Sequence, residues 1–131
     1  MKELFDVHCH MVPGVDDGAA DLEESLAMLK MQHEDGVRKI IITPHYRRRM
    51  FETPAKKVHE QFLKLQEAAK KEYPDMSLYL GCELHSNMDL QDILEKRKNV
   101  TMAGSSYVLL EFSEGDSAQH IRERVYNVLS C

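Results

Sequence analysis

Apolar positions recur along the chain in two rhythms. Four short stretches carry them nearly without interruption: residues 4–8, residues 38–43 with Ile40-Ile41-Ile42, residues 77–82 and residues 107–112. A β-branched run without polar alternation suits a strand covered on both faces, as in a parallel sheet. Between these runs the spacing changes to that of a helix. Leu22, Leu26, Leu29 and His33 share one stripe, with Asp21 and Glu24 placed as a capping box before it and Gly36 as its stop. Thr53-Pro54 opens a second helix with Val58, Phe62, Leu65 and Ala69 on one face, closed by Tyr73-Pro74. A short helix is expected from Asp89 to Arg97, capped near Asn87 or Met88. Ser117 caps a last one carrying Ile121, Val125, Val128 and Leu129. Strands alternating with helices predict α/β architecture, with βαβ units and a parallel sheet. No repeat, low-complexity tract or flexible linker divides residues 1–131, so one domain is expected.

The ends of the four runs carry the chemistry. His8 and His10 close the first, His45 follows the second after Thr43-Pro44, Glu83 follows the third and Glu111 lies in the fourth. In an α/β fold the C-terminal ends of parallel strands share one rim, where such folds place their sites. Side chains alternate along an extended chain, so His8 and His10 point one way and Cys9 the other. The following loop, Pro13-Gly14-Val15-Asp16-Asp17-Gly18, reads as a turn but also offers two carboxylates to the same rim. A carboxylate directly after a buried strand should be paired or metal-bound, because isolated buried charge is costly. Three imidazoles and several carboxylates suggest more than one ion and suit Mn, Zn or Fe better than Ca or a thiolate-bound metal. Arg47, Arg48 and Arg49 follow His45 as either a solvated loop or an anion-attracting rim. His33 reads as a packed or edge residue of its helix. His85, two residues past Glu83, is a weaker site candidate.

Bulk properties narrow the classes. The 131 residues, 43% hydrophobic and 30% charged, fit an ordinary globular domain. A formal net charge of −5 argues against general nucleic-acid binding. No run approaches the ~20 apolar residues of a membrane span, and no basic segment precedes an apolar one as in a secretion signal. A cytoplasmic protein is therefore expected. Cys9, Cys82 and Cys131 form no disulfide framework, and no Cys is followed six residues later by Arg, so a thiolate phosphatase loop is not indicated.

Asp6-Val7-His8-Cys9-His10, the 13–18 loop and Thr43-Pro44-His45 together resemble the polymerase and histidinol phosphatase (PHP) superfamily. Within it, the chain is similar to the bacterial metal-dependent protein-tyrosine phosphatases that regulate capsular polysaccharide synthesis. The 13–18 loop separates that branch from histidinol phosphatases, and residues 47–54 and 107–112 also look like it. The resemblance implies a distorted TIM-like (β/α) barrel with a cluster of about three ions, usually Mn2+, with Zn2+ or Fe possible. It matches His8, His10, Asp17, His45, Glu83 and Glu111 to metal ligands, with Glu83 as the bridging carboxylate. Asp17 and Arg48 are the candidate catalytic residues, and Arg47, Arg48 and Arg49 the candidate phosphate-binding set. The implied substrates are phosphotyrosine tails of bacterial kinases that govern capsule and exopolysaccharide synthesis.

The family runs to roughly twice this length. Its second half supplies an Ala-His-x-Glu-Arg-like motif and a Ser-Asp-x-His-like motif that this sequence lacks. The expectation is thus about half a barrel, incomplete at the C-terminus, with an open edge that favours a homo-oligomer. A PHP hydrolase of small phosphate esters, and a weakly active or inactive metal-binding fragment, are the alternatives.

Overall fold

Strands form where the apolar runs are, but two of the runs are broken. In the computed structural model, which describes residues 2–131, the first run gives β1 (Leu4–Asp6) and the second gives β2 (Val37–Ile42). The chain then leaves the ladder at Thr43-Pro44 and resumes as β3 (His45–Tyr46). The third run yields β4 (Ser77–Leu80), a break at Gly81-Cys82, and β5 (Glu83–His85). The fourth contributes only β6 (Leu109–Glu111). Four expected strands are therefore six, and β1 stops before His8. Pro44 has no N–H to give a ladder. At Gly81 an added Cβ would lie 3.0 Å from Met102 Sδ and 3.2 Å from Ile41 Cγ2, so a side chain at this break would press on its neighbours.

The strands pair in parallel in two three-stranded sheets of order β1-β2-β4 and β3-β5-β6, and a lone antiparallel bridge joins Arg47 to Phe51. Backbone hydrogen bonds carry the chain across the breaks. Thr43 N–H donates to Cys9 C=O at 2.8 Å, Gly81 N–H to Ile42 C=O at 2.8 Å, and Glu83 N–H to Pro44 C=O at 2.9 Å. The expected common rim is consequently a junction: the first sheet ends where the second begins. In the second sheet His45 pairs with Glu83, and His85 with Glu111.

Helix ends follow local chemistry. In α1 (Leu22–Glu34) the Asp21 carboxylate accepts the Glu24 N–H at 2.8 Å, while Glu24 reaches back to the Ala20 N–H rather than to Asp21. Gly36, at φ +93°, takes the left-handed conformation that turns the chain into β2. In α2 (Ala55–Glu72) the stripe Val58, Phe62, Leu65 and Ala69 is buried as its period predicts. For α3 (Leu90–Lys96) the cap is Asp89, not Asn87 or Met88; Met88 goes into the core. Ser117 caps α4 (Ala118–Leu129), whose Ile121, Val125 and Leu129 stay exposed while Val128 packs inward.

Helices α1 and α2 cover one face of the first sheet, enclosing Leu29, Ile40, Ile42, Leu65 and Leu78. A second apolar cluster of Cys82, Leu84, Met88, Leu90 and Val100 lies under α3 and α4. The other face of the first sheet is uncovered: Phe5 is 62% exposed and Tyr79 41%. No helix among the described residues is long and apolar enough to cross a membrane. Because Leu65 is fully buried between α2 and the sheet, Leu65→Ala should lower the unfolding free energy by about 2–5 kcal/mol in a denaturant titration. A loss below that range would mean that the α2 face is loosely packed.

Candidate metal centre

The site begins where β1 stops. Asp6 accepts the His8 N–H at 3.0 Å and is itself held by Gln32 Nε2 at 2.6 Å, which fixes the backbone where the strand stops. Alternation persists. His8 and His10 face the same side with ring centres 5.4 Å apart, and Cys9 turns into the apolar core near the Ile41 carbonyl.

Glu83, the first residue of β5, is buried at the middle of the junction. Its two oxygens look in different directions. Oε1 meets His8 Nε2 and lies 3.1 Å from His10 Nε2, while Oε2 lies 3.4 Å from His45 Nδ1. His45 also reaches Glu111 Oε2 at 3.4 Å and Asp17 Oδ1 at 3.6 Å. Its ring stacks between His10 at 4.3 Å and Phe51 at 5.1 Å. Three sets of donor atoms each converge within 4.8 Å: His8, His10 and Glu83; His10, Asp17 and His45; His45, Glu83 and Glu111. All six residues expected as ligands from the sequence thus lie in one cluster.

The two loop aspartates divide the work. Asp16 is the turn residue: Oδ1 accepts the Gly18 N–H at 2.9 Å, and Oδ2 accepts the His45 N–H at 3.0 Å and contacts His10 Nδ1 at 3.1 Å. That last contact leaves His10 Nε2 facing Glu83, in the manner of a carboxylate that orients a metal-binding imidazole. Asp17 is exposed beside His45. Sequence reasoning did not assign Asp16 this orienting role. The Asp-x-Gly spacing of an Asx turn is the signal that carries it. Gly18 sits so tightly that any Cβ would overlap the His10 carbonyl.

The arginines separate as well. Arg47 Nη1 lies 3.6 Å from Glu111 Oε1. Arg48 and Arg49 are exposed, and no ion pair or hydrogen bond joins their side chains to the cluster among the described residues. Arg49 instead forms the corner of a tight turn at φ +68°. His85 is buried behind Glu111, with Ser113 Oγ 2.9 Å from its Nε2. His33 lies elsewhere, at the end of α1, against Asp75 at 3.0 Å.

Protonation follows burial and pairing. Burial, and then the Glu83 carboxyl beside it, push Glu111 up to about 7, with Arg47 only partly offsetting them. Burial also works on Glu83, but hydrogen bonding with Glu111 and His8 outweighs it and holds this carboxyl below its ordinary value. Asp16 is likewise held low against burial by His10 and by the His45 and Gly18 N–H groups. The hydrogen bond to Asp16 raises His10. Burial lowers His85. It pushes the thiols of Cys9 and Cys82 up to about 12, so neither is a ready thiolate.

Residues 4–131 match the family described as capsular polysaccharide synthesis, CpsB/CapC. The chain is 40% identical over 126 residues to tyrosine-protein phosphatase CpsB of Streptococcus pneumoniae, covering 96% of this chain and 52% of that protein. It is 27% identical to tyrosine-protein phosphatase YwqE of Bacillus subtilis, covering 95% of this chain and 49% of that protein. A solved structure from work on YwqE and CpsB, described as unique metal-dependent tyrosine phosphatases, superposes with a TM-score of 0.85 at 27% identity, over 97% of this chain and 51% of that one. The chain spans about half the length of the curated relatives it matches.

The Glu111 shift sets a pH dependence. A divalent ion must displace the proton that Glu111 holds up to about 7, so affinity should rise with pH through 6–7.5 and level off above about 8. Calorimetry with Mn2+ in buffers of different ionisation enthalpy should show proton release at pH 6.5 and little at pH 8.5. In the metal-free chain the sign for stability is opposite: Glu111 contributes below about 4.5, and that contribution is lost as pH rises through about 7.

Proposed function

The chain belongs to the CpsB/CapC family of capsular polysaccharide synthesis, and on that footing we propose that its metal cluster serves hydrolysis of phosphotyrosine. The observation that carries the reading is Glu83: a buried carboxylate with one oxygen among His8 and His10 and the other facing His45, as a bridge between two ions requires. The donors fit a metal. Imidazole and carboxylate groups converge with no thiolate among them. His8, His10 and Glu83 Oε1 would hold one ion, and His45, Glu83 Oε2 and Glu111 a second, with Asp17 as a further carboxylate at its side. This donor chemistry suits manganese, zinc or iron; manganese is the proposed metal.

A bound ion would supply Lewis-acid polarisation of the phosphate and water of lowered pKa. The chain's own groups do the rest. Arg47 stands at the edge of the cluster, where a guanidinium can hold phosphate oxygens bidentately. Arg48 and Arg49, in the exposed turn, add positive field at the entrance for a dianionic substrate. Asp17 Oδ1, exposed beside His45, is placed to take the proton of an attacking water. The proposed substrate is a phosphorylated tyrosine-rich tail of a bacterial kinase.

Hydrolysis of a phosphotyrosine peptide should need Mn2+, cease with a chelator and persist after iodoacetamide. Glu83→Gln should lower it at least about 100-fold, since even partners that merely support a ligand are worth 10–100-fold. Loss on alkylation with indifference to chelation would overturn the reading. Faster turnover of histidinol phosphate than of the peptide would favour the small-ester alternative.

The uncovered sheet face favours a further proposal, self-association. Phe5, Val7, Ile41 and Tyr79 line one apolar surface, and β6 is an edge strand. Light scattering behind a sizing column should report about twice the 15.2 kDa chain mass. A monodisperse species of the chain mass at high concentration would remove this proposal.

A further inference from the structure

His85 is a buried histidine that the proposed reaction does not use. Its ring has a defined proton. The Asn87 backbone N–H, 3.1 Å away, donates to Nδ1. The neutral ring must then carry its hydrogen on Nε2. That N–H donates to Ser113 Oγ at 2.9 Å. The same nitrogen lies 3.7 Å from Glu111 Oε1, too long for a hydrogen bond but close enough for its dipole to favour the carboxylate. Strand register makes the encounter obligatory, because His85 and Glu111 are paired across β5 and β6. Ser113 is fixed in turn: its N–H donates to Asp116 Oδ2 at 2.7 Å, and Arg47 Nη2 approaches its hydroxyl at 3.5 Å. His85 and Arg47 thus stand against one oxygen of Glu111, with the Ser113 hydroxyl joining the two, while the other oxygen faces His45 at 3.4 Å.

We infer that His85, with its proton held on Nε2, is a positioning residue that works with Ser113 to keep Glu111 aimed at the metal cluster. The inference rests on the reading of Glu111 as a ligand. Nothing about His85 requires it to touch metal or substrate. Its effect is to choose which Glu111 oxygen faces His45 and to limit the rotamers that the carboxylate samples before an ion arrives.

The test titrates Mn2+ alone into the 131-residue chain by calorimetry and records the visible absorption of the Co2+-loaded chain. Variants are Glu111→Gln, His85→Leu, His85→Gln and Ser113→Ala. His85→Leu should weaken Mn2+ binding 10–100-fold, the range for partners that orient a ligand, and should shift the Co2+ bands. His85→Gln, which keeps an N–H donor near Nε2, should restore most of the affinity. Ser113→Ala should weaken binding less, and its effect should not add to that of His85→Leu, because both remove one arm. Wild-type affinity and Co2+ spectrum in a folded His85→Leu chain would overturn the inference. If His85→Leu does not fold, Ser113→Ala decides, and unchanged affinity there overturns it. If Glu111→Gln itself binds Mn2+ as tightly as the parent, the ligand reading fails and this inference with it; weakening by Glu111→Gln alone sinks only the role of His85.

Discussion

Glu83 is a carboxylate held almost entirely out of water, and the site is organised around making that tolerable. An isolated buried charge is strongly unfavourable, and a protein can accept one only where opposite charge or hydrogen-bond donors surround it. Here His8 and His10 take one oxygen and His45 the other. Glu111 adds a second carboxylate to the same space, and each charge opposes the ionisation of the other. The opposite displacements of the pair, Glu83 down and Glu111 up to about 7, express this competition.

That concentration of donors depends on the breaks in the strands. A continuous second strand would carry His45 past the junction in regular pleat. Instead Pro44 ends one ladder, and Gly81 lets the neighbouring chain turn at the same level. The second sheet then starts with His45 beside Glu83 in register. Asp16 ties the preceding loop into this arrangement by holding the backbone of both Gly18 and His45 while it orients His10. The clustered side chains are therefore placed by backbone hydrogen bonds and by one glycine too close to His10 to accept a side chain, not by long flexible side chains reaching inward. Positive charge is distributed to match. A chain of net charge −5 keeps three consecutive arginines next to its most acidic cluster, which gives a local field opposite in sign to the global one.

Much of this was readable from local pattern. The stripe of α2, the caps at Asp21 and Ser117 and the glycine stop at Gly36 depend on residues within a turn or two of one another, so sequence order carries them. The alternation that sends His8 and His10 one way and Cys9 the other is also local, and it survives although β1 ends at Asp6. Conversely, the resumption of strand beyond runs 38–43 and 77–82, as β3 and β5, depended on where neighbouring chains pass, which a propensity for extended structure does not contain. The α3 cap is local: the Asp89 carboxylate accepts the Asp92 N–H three residues on.

For the site, sequence by itself determined which residue types stand at the ends of the apolar runs, because run endings are marked by composition. Only the tertiary structure decided their parts. Asp16 orients while Asp17 faces outward; Arg47 meets Glu111 while Arg48 and Arg49 remain in solvent; His85, weak as a sequence candidate, stands behind Glu111 through Ser113. Asp16 reaches His10 within one loop, but the other two distinctions rest on contacts between residues dozens of positions apart. They are set by the register of parallel strands, which no single stretch of the chain encodes.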